Sequence, residues 1–93
     1  MAENLPAKVA VVGAGTMGSG IAQAFAAVGV PVALIDVKDE FVQRGLATIQ
    51  QSLARMVKKG TLTEDDAAAT TRRVQGGTAL DAAADATLVV EAV

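Results

Sequence analysis

The turn Gly13-Ala14-Gly15-Thr16-Met17-Gly18 constrains this chain more than any other stretch of it. The turn follows the apolar, β-branched run Lys8-Val9-Ala10-Val11-Val12, whose length and composition mark a buried strand of a parallel sheet. It precedes residues 16–28, which read as a helix with Ile21, Ala22, Phe25 and Val28 on its apolar face and Gly29 as its stop. Pro31-Val32-Ala33-Leu34-Ile35 then forms a second apolar strand, with the proline at its first position, where no ladder hydrogen bond is lost. That strand runs directly into Asp36.

Glycine turns of this spacing are common. Placed between a strand and a helix, with an acid at the end of the next strand, the turn is the fingerprint of a dinucleotide-binding βαβ unit. Gly13 permits the tight turn, Gly15 leaves room for a pyrophosphate to approach the backbone, and Gly18 lets the helix pack closely on the strand. The amides that open the helix have no intrahelical partners, and with the positive end of the macrodipole they form an anion site. Asp36 is placed to accept a hydrogen bond from a ribose hydroxyl. Without a ligand the same glycines would serve only the turn and its packing, and Asp36 would be a solvated strand end. The coincidence of strand, turn, helix and acid favours the nucleotide.

From Val9 to Ile35 no side chain is charged, and a hydropathy window would mark a membrane span. Glycines and Pro31 divide the stretch into strand, helix and strand, and burial of a parallel βαβ unit on both faces accounts for its apolarity. As a secretory signal it is poor, with a single basic residue close by and a glycine-broken apolar region. The 8 Lys and Arg against 10 Asp and Glu leave a net charge of −2, too small to draw the chain to nucleic acid or to an anionic membrane. Neither is an expected partner. With no Cys there is no disulfide or thiolate chemistry, which fits a reducing compartment, and a cytoplasmic location is expected. With no His the chain lacks the side chain whose ordinary pKa lies near neutrality. Acid–base chemistry must therefore come from a shifted carboxylate or lysine or from residues outside this chain, and no metal site is expected within it.

Residues 1–6 show no periodic pattern and read as a disordered lead-in. Asp39 is the expected N-cap of a long helix in which Val42, Leu46, Ile49, Leu53 and Met56 face the sheet. Gln43, Arg44, Gln50, Gln51, Arg55, Lys58 and Lys59 form its solvated face, and Gly60 stops it. Thr63 caps a further helix that runs to about Arg73. Residues 74–78 make a third strand weakened by Gly76-Gly77, residues 80–84 one helical turn, Asp85 a loop, and residues 87–93 a strong fourth strand. The fold class is α/β: a doubly wound, Rossmann-like parallel sheet in the order 3-2-1-4, of which residues 7–93 form the N-terminal part. An uncovered apolar strand edge invites association, so the chain reads as the front half of a domain from a longer polypeptide.

With these features in place, the sequence resembles the 3-hydroxyacyl-CoA dehydrogenase family, particularly the bacterial type acting on short chains such as 3-hydroxybutyryl-CoA. The resemblance rests on VAVVGAGTMGSGIAQAFA (9–26), on Ile35-Asp36, on IQQSLARMVKKG (49–60) and on TLVVEAV (87–93). It implies an NAD-dependent oxidoreductase of fatty acid metabolism that interconverts 3-hydroxyacyl-CoA and 3-ketoacyl-CoA. It also implies roles for particular residues. Gly13, Gly15, Thr16, Met17 and Gly18 lie at the pyrophosphate, Asp36 at the adenosine ribose, and Ala92 where the fourth strand passes the cofactor. Ser52 and Lys59 lie against the CoA portion of the substrate. That last pair is two turns apart on one helical stripe, about 10 Å along the axis; a surface serine and a dipole-matching lysine would account for it equally well. The family's catalytic His and partner Glu, the Ser and Asn that hold the substrate carbonyl, and the helical domain that dimerises have no counterpart here. The resemblance thus implies a chain that binds the ADP half of NAD without turning over, within an intact homodimer.

Other readings share the glycine turn. The 3-hydroxyisobutyrate and 6-phosphogluconate type often replaces the acid by Asn or Arg to accept NADP, whereas Asp36 would repel a 2′-phosphate and Lys38 would soften that repulsion. Flavin-binding domains use the same turn and acid, but the long helix before the third strand disfavours them. Outside the enzymes, lens crystallins related to this family retain the fold without its flux role, and an isolated nucleotide-sensing module is a further option.

Overall fold

A computed structural model describes residues 5–93. Of the lead-in expected at residues 1–6, the first four lie outside the described residues, and Leu5 and Pro6 belong to neither helix nor strand. Four strands, β1 (Val9–Val12), β2 (Val32–Ile35), β3 (Val74–Gly77) and β4 (Leu88–Glu91), form one sheet in the order β3-β2-β1-β4. Every pairing is parallel, with Val9 opposite both Val32 and Leu88, and Val32 opposite Val74. Helices α1 (Thr16–Ala27), α2 (Asp39–Lys58) and α3 (Glu64–Arg73) and a 3₁₀ turn (Leu80–Ala83) complete the chain. This is the doubly wound order expected from the sequence.

Because successive strand residues point to opposite faces, the central strands supply two apolar layers. Val9, Val11, Val32 and Leu34 meet Ala22 and Ala26 of α1 and Ile49 and Leu53 of α2. Ala10, Ala33 and Ile35 face the other way, against Ala83 and Ala86. Among the described residues, no helix is long and apolar enough to cross a membrane.

Several local expectations are corrected. Helix α1 ends at Ala27; Val28 is its C-cap and is 59% exposed, not part of the core face. The chain reverses at Gly29 (φ +98), and Val30 fills the core position instead. The buried stripe of α1 is Gly18, Ser19, Ala22 and Ala26, small residues that bring its axis close to the sheet, with Ile21 and Phe25 partly buried beside them. The N-cap of α2 is Lys38 rather than Asp39: the Phe41 and Val42 amides donate to the Lys38 carbonyl at 3.1 and 3.3 Å. Asp39 and Glu40 thus lie in the first turn, where carboxylates complement the helix dipole.

Gly76 has a packing role that composition hides. A Cβ there would stand 2.5 Å from Val42 Cγ1 and 3.0 Å from Leu46 Cδ1, so its bare backbone is what lets α2 lie on β3. Other ends match expectation. Gly60, at φ +80, stops α2, and Thr63 caps α3 by accepting a hydrogen bond from the Asp66 amide at 3.1 Å.

Candidate nucleotide-binding site

The end of β1 delivers the chain into the turn, where the Gly13 amide donates to the Ile35 carbonyl at 2.7 Å. Gly13 has φ +111, and a Cβ there would sit 2.9 Å from the Ala92 carbonyl oxygen, so glycine is required twice over. Gly18 lies beneath it, and a side chain there would run into the Gly13 carbonyl. Both are buried. They shape the turn and do not present a surface. Gly15 differs: it is exposed, and an added Cβ would meet nothing within 4 Å. The protein's own packing makes no demand for glycine here, and the missing side chain leaves open space in front of the backbone.

That space faces the start of α1. Gly15 is the N-cap and offers no side-chain cap, and the Ser19 amide makes a 2.9 Å bond to the Gly15 carbonyl. The Thr16, Met17 and Gly18 amides precede that bond and have no intrahelical carbonyl available. The first turns of α2 and α3 carry Asp39 and Glu40, and Glu64, Asp65 and Asp66, whereas α1 has no acid there. The first turn of α1 thus supplies no carboxylate of its own to its positive end, beside exposed Thr16 and Met17. An open backbone cradle with free donors fits a pyrophosphate.

Asp36 is more than a solvated strand end. Its Oδ2 accepts from the Ala14 amide at 2.8 Å and its Oδ1 from the Val37 amide at 2.7 Å, so the carboxylate is clamped to the glycine turn. A carboxylate has about four acceptor positions, and the two remaining serve the groove that Asp36 lines. This groove has a volume of about 290 Å³ and is also bounded by Ala14, Gly15, Thr16, Phe41, Arg44 and Thr48. The periodicity of α2 places Arg44 on the solvated face and marks neither Phe41 nor Thr48. Their i, i+3 and i+7 spacing was the available signal, because it puts all three on one side of the helix. Lys38 Nζ lies 5.8 Å from the Phe41 ring centroid, adding a cation near the same mouth.

Ala92 joins the site from just beyond the end of β4, which closes at Glu91 rather than running to Val93. Its amide donates to the Val12 carbonyl at 2.8 Å, and its carbonyl backs Gly13. Ser52 and Lys59 are set apart along α2. Ser52 is half-buried and its Oγ accepts from Gln23 Nε2 at 3.0 Å, while Lys59 is the exposed C-cap. The structure thus gathers Gly13, Gly15, Thr16, Met17, Gly18, Asp36 and Ala92 at the carboxyl ends of β1, β2 and β4 and leaves Ser52 and Lys59 elsewhere.

A crevice at the carboxyl edge of such a sheet, beside its central strand, is where open α/β folds take dinucleotides; fold and site together define a Rossmann-type nucleotide-binding unit. Residues 8–93 match the family model described as 3-hydroxyacyl-CoA dehydrogenase, NAD binding domain, and the chain belongs to that family. It is 43% identical over 84 residues to a 3-hydroxybutyryl-CoA dehydrogenase of Bradyrhizobium diazoefficiens, covering 90% of this chain and 29% of that protein. It is 44% identical over 86 residues to a probable 3-hydroxybutyryl-CoA dehydrogenase of Deinococcus radiodurans, covering 92% and 31%. The crystal structure of the (S)-3-hydroxybutyryl-CoA dehydrogenase of Ralstonia eutropha superposes with a TM-score of 0.92 at 46% identity, over 95% of this chain and 31% of that one. The chain therefore spans about a third of the length of these relatives.

Proposed function

We propose that this chain holds the ADP half of NAD across the glycine turn and works within an oxidoreductase that interconverts 3-hydroxyacyl-CoA and 3-ketoacyl-CoA. The observation that carries the proposal is the contrast among the glycines: Gly13 and Gly18 are demanded by packing, whereas Gly15 opens on empty space before uncapped helix amides. In this reading the Thr16 and Met17 amides bind the pyrophosphate, Asp36 accepts from the adenosine ribose, and Ala92 flanks the cofactor. Gly13 and Gly18 hold the turn in shape. Ser52 and Lys59 meet the CoA portion of the substrate. NAD, when bound, supplies the hydride acceptor.

The sequence contains no histidine, the side chain whose ordinary pKa best suits it to take the substrate hydroxyl proton. We place that base, and the helical dimerisation domain, in the part of the relatives that this chain does not cover, with residues 7–93 as the N-terminal part of the cofactor domain. The relatives' names support a short-chain acyl-CoA substrate. A cytoplasmic homodimer, with no membrane or nucleic-acid partner, completes the proposal.

Calorimetric titration of the chain with NAD and with NADP is the test. NAD should bind at least about tenfold more tightly, because the Asp36 carboxylate meets the 2′-phosphate of NADP as a like charge. Asp36→Asn should weaken NAD and narrow the gap. A folded chain that binds neither nucleotide, or prefers NADP, would refute the cofactor assignment, and dehydrogenase turnover by the 93-residue chain would refute the placement of the base.

A further inference from the structure

Serine and threonine side chains inside helices usually return their hydroxyl proton to the carbonyl one turn back. Four in this structure do so: Ser19 Oγ donates to the Gly15 carbonyl, Thr48 to Arg44, Thr70 to Asp66 and Thr71 to Ala67, all at 2.8 to 2.9 Å. Ser52, at the middle of α2, does not. Its Oγ instead accepts from Gln23 Nε2, which reaches across from α1 at 3.0 Å and also lies 3.8 Å from Met56 Sδ. A side-chain amide nitrogen carries two protons and no acceptor. With both protons directed at α2, Gln23 is held as a donor, and a serine oxygen that receives an N–H keeps its own proton free.

The surroundings of Ser52 say what that proton is for. Arg55 and Lys59 lie three and seven residues further on, on the same stripe of the helix as Ser52, and both are exposed. A group docking on this stripe meets two cations and one hydroxyl, the reception suited to a phosphate, and a phosphate oxygen needs a donor. We propose that Gln23 is a positioning residue: by donating to Ser52 Oγ it turns the Ser52 hydroxyl outward as a hydrogen-bond donor to a phosphate of bound CoA. The proposal rests on the reading that Ser52 and Lys59 meet the CoA portion of the substrate. Gln23 itself does not touch the ligand.

The test measures CoA affinity by calorimetry on the 93-residue chain, with thermal melting to check that each variant is folded. Ser52→Ala should weaken CoA by about tenfold, the value of one hydrogen bond to a charged group. Gln23→Met keeps the length and the apolar contacts but removes the donor, so Ser52 can turn back to the Thr48 carbonyl and affinity should fall by roughly threefold or more. Gln23→Glu replaces the donor with an acceptor that takes the Ser52 proton, and should cost at least as much as Ser52→Ala. Once Ser52 is alanine, Gln23→Met should cost nothing further, and NAD affinity should be the same in every variant. Those last two results separate positioning from a merely structural role. Equal losses from Gln23→Met with and without Ser52, or undiminished CoA binding by Gln23→Glu when Ser52→Ala is weakened, would overturn the proposal alone. Unchanged CoA binding by Ser52→Ala would overturn the CoA reading of Ser52 and the proposal with it.

Discussion

On one face of the sheet Val9, Val11, Val32 and Leu34 lie under two helices and are at most 1% exposed, whereas the other face has Ala10, Ala33 and Ile35 against two alanines of the 3₁₀ turn and the loop beyond it. The edge strand β4 is more open still, with Leu88 and Val89 40% and 52% exposed. The nucleotide cradle lies at the carboxyl rim of the sheet, where tightly packed backbone (Gly13, Gly18, Ala92) adjoins empty space in front of Gly15. The contrast separates two uses of small residues. Those under α1 and behind the turn serve close approach within the protein, whereas Gly15 meets no such demand from the packing.

The largest expected effect tests the packed face. Leu34→Ala should cost about 2–5 kcal/mol in urea unfolding, because the residue is enclosed by both helices and the site cannot collapse. Val89→Ala, on the open edge, should change stability by less than about 0.5 kcal/mol; similar losses at the two positions would break the comparison between the faces. Next comes Gly76→Ala, whose new methyl group would press on Val42 and Leu46 and should cost about 1–3 kcal/mol by the same measurement. A loss much below that range would mean that α2 can lift from β3.

Gly15→Ala sharpens the comparison differently. Nothing stands where its Cβ would go, so the loss of stability should stay near that of a weaker N-cap, about 1 kcal/mol or less, while NAD affinity in a calorimetric titration falls by about tenfold. An unaffected affinity would remove Gly15 from the cofactor site. The smallest effect belongs to the strap joining the start of β1 to the loop before β4, where Lys8 Nζ lies 2.7 Å from Asp85 Oδ1. The hydrogen bond and charge of Lys8 hold the Asp85 carboxyl below the usual carboxylate range. The stability it contributes is therefore present above the ordinary carboxylate pKa and is lost as the pH falls through the lowered one. Asp85→Asn should lower the melting temperature slightly at neutral pH, and the difference should vanish in strong acid; a difference that persists there would assign it to something other than the carboxylate charge.

Much of this fold is legible along the chain because its signals are local. β1, β2 and β4 are short apolar runs, α2 announces itself by the spacing of Val42, Leu46, Ile49, Leu53 and Met56, and Thr63 and Gly60 mark helix ends by their own side chain or its absence. The cradle was legible too, since turn, helix start and acid are contiguous in a βαβ unit. What was misplaced or missed depends on partners distant in sequence. Val28 has the right period for the core and is turned out by Gly29. Gly76 reads as a weakness until Val42 and Leu46 are laid over it. The links from Asp36 to Ala14 and from Gln23 to Ser52 cross between elements and leave no periodic trace.

The sequence by itself determined which segments are strand or helix, their order in a parallel sheet, and the glycine turn with its acid, because backbone conformation and burial period are set by residues close in the chain. Only the tertiary structure decided which glycines the packing demands, that both oxygens of Asp36 are engaged by backbone amides, and that Ser52 Oγ accepts from Gln23. Those depend on clearances of a few tenths of an ångström and on the direction of single hydrogen bonds between elements, which exist only once the helices have settled on the sheet.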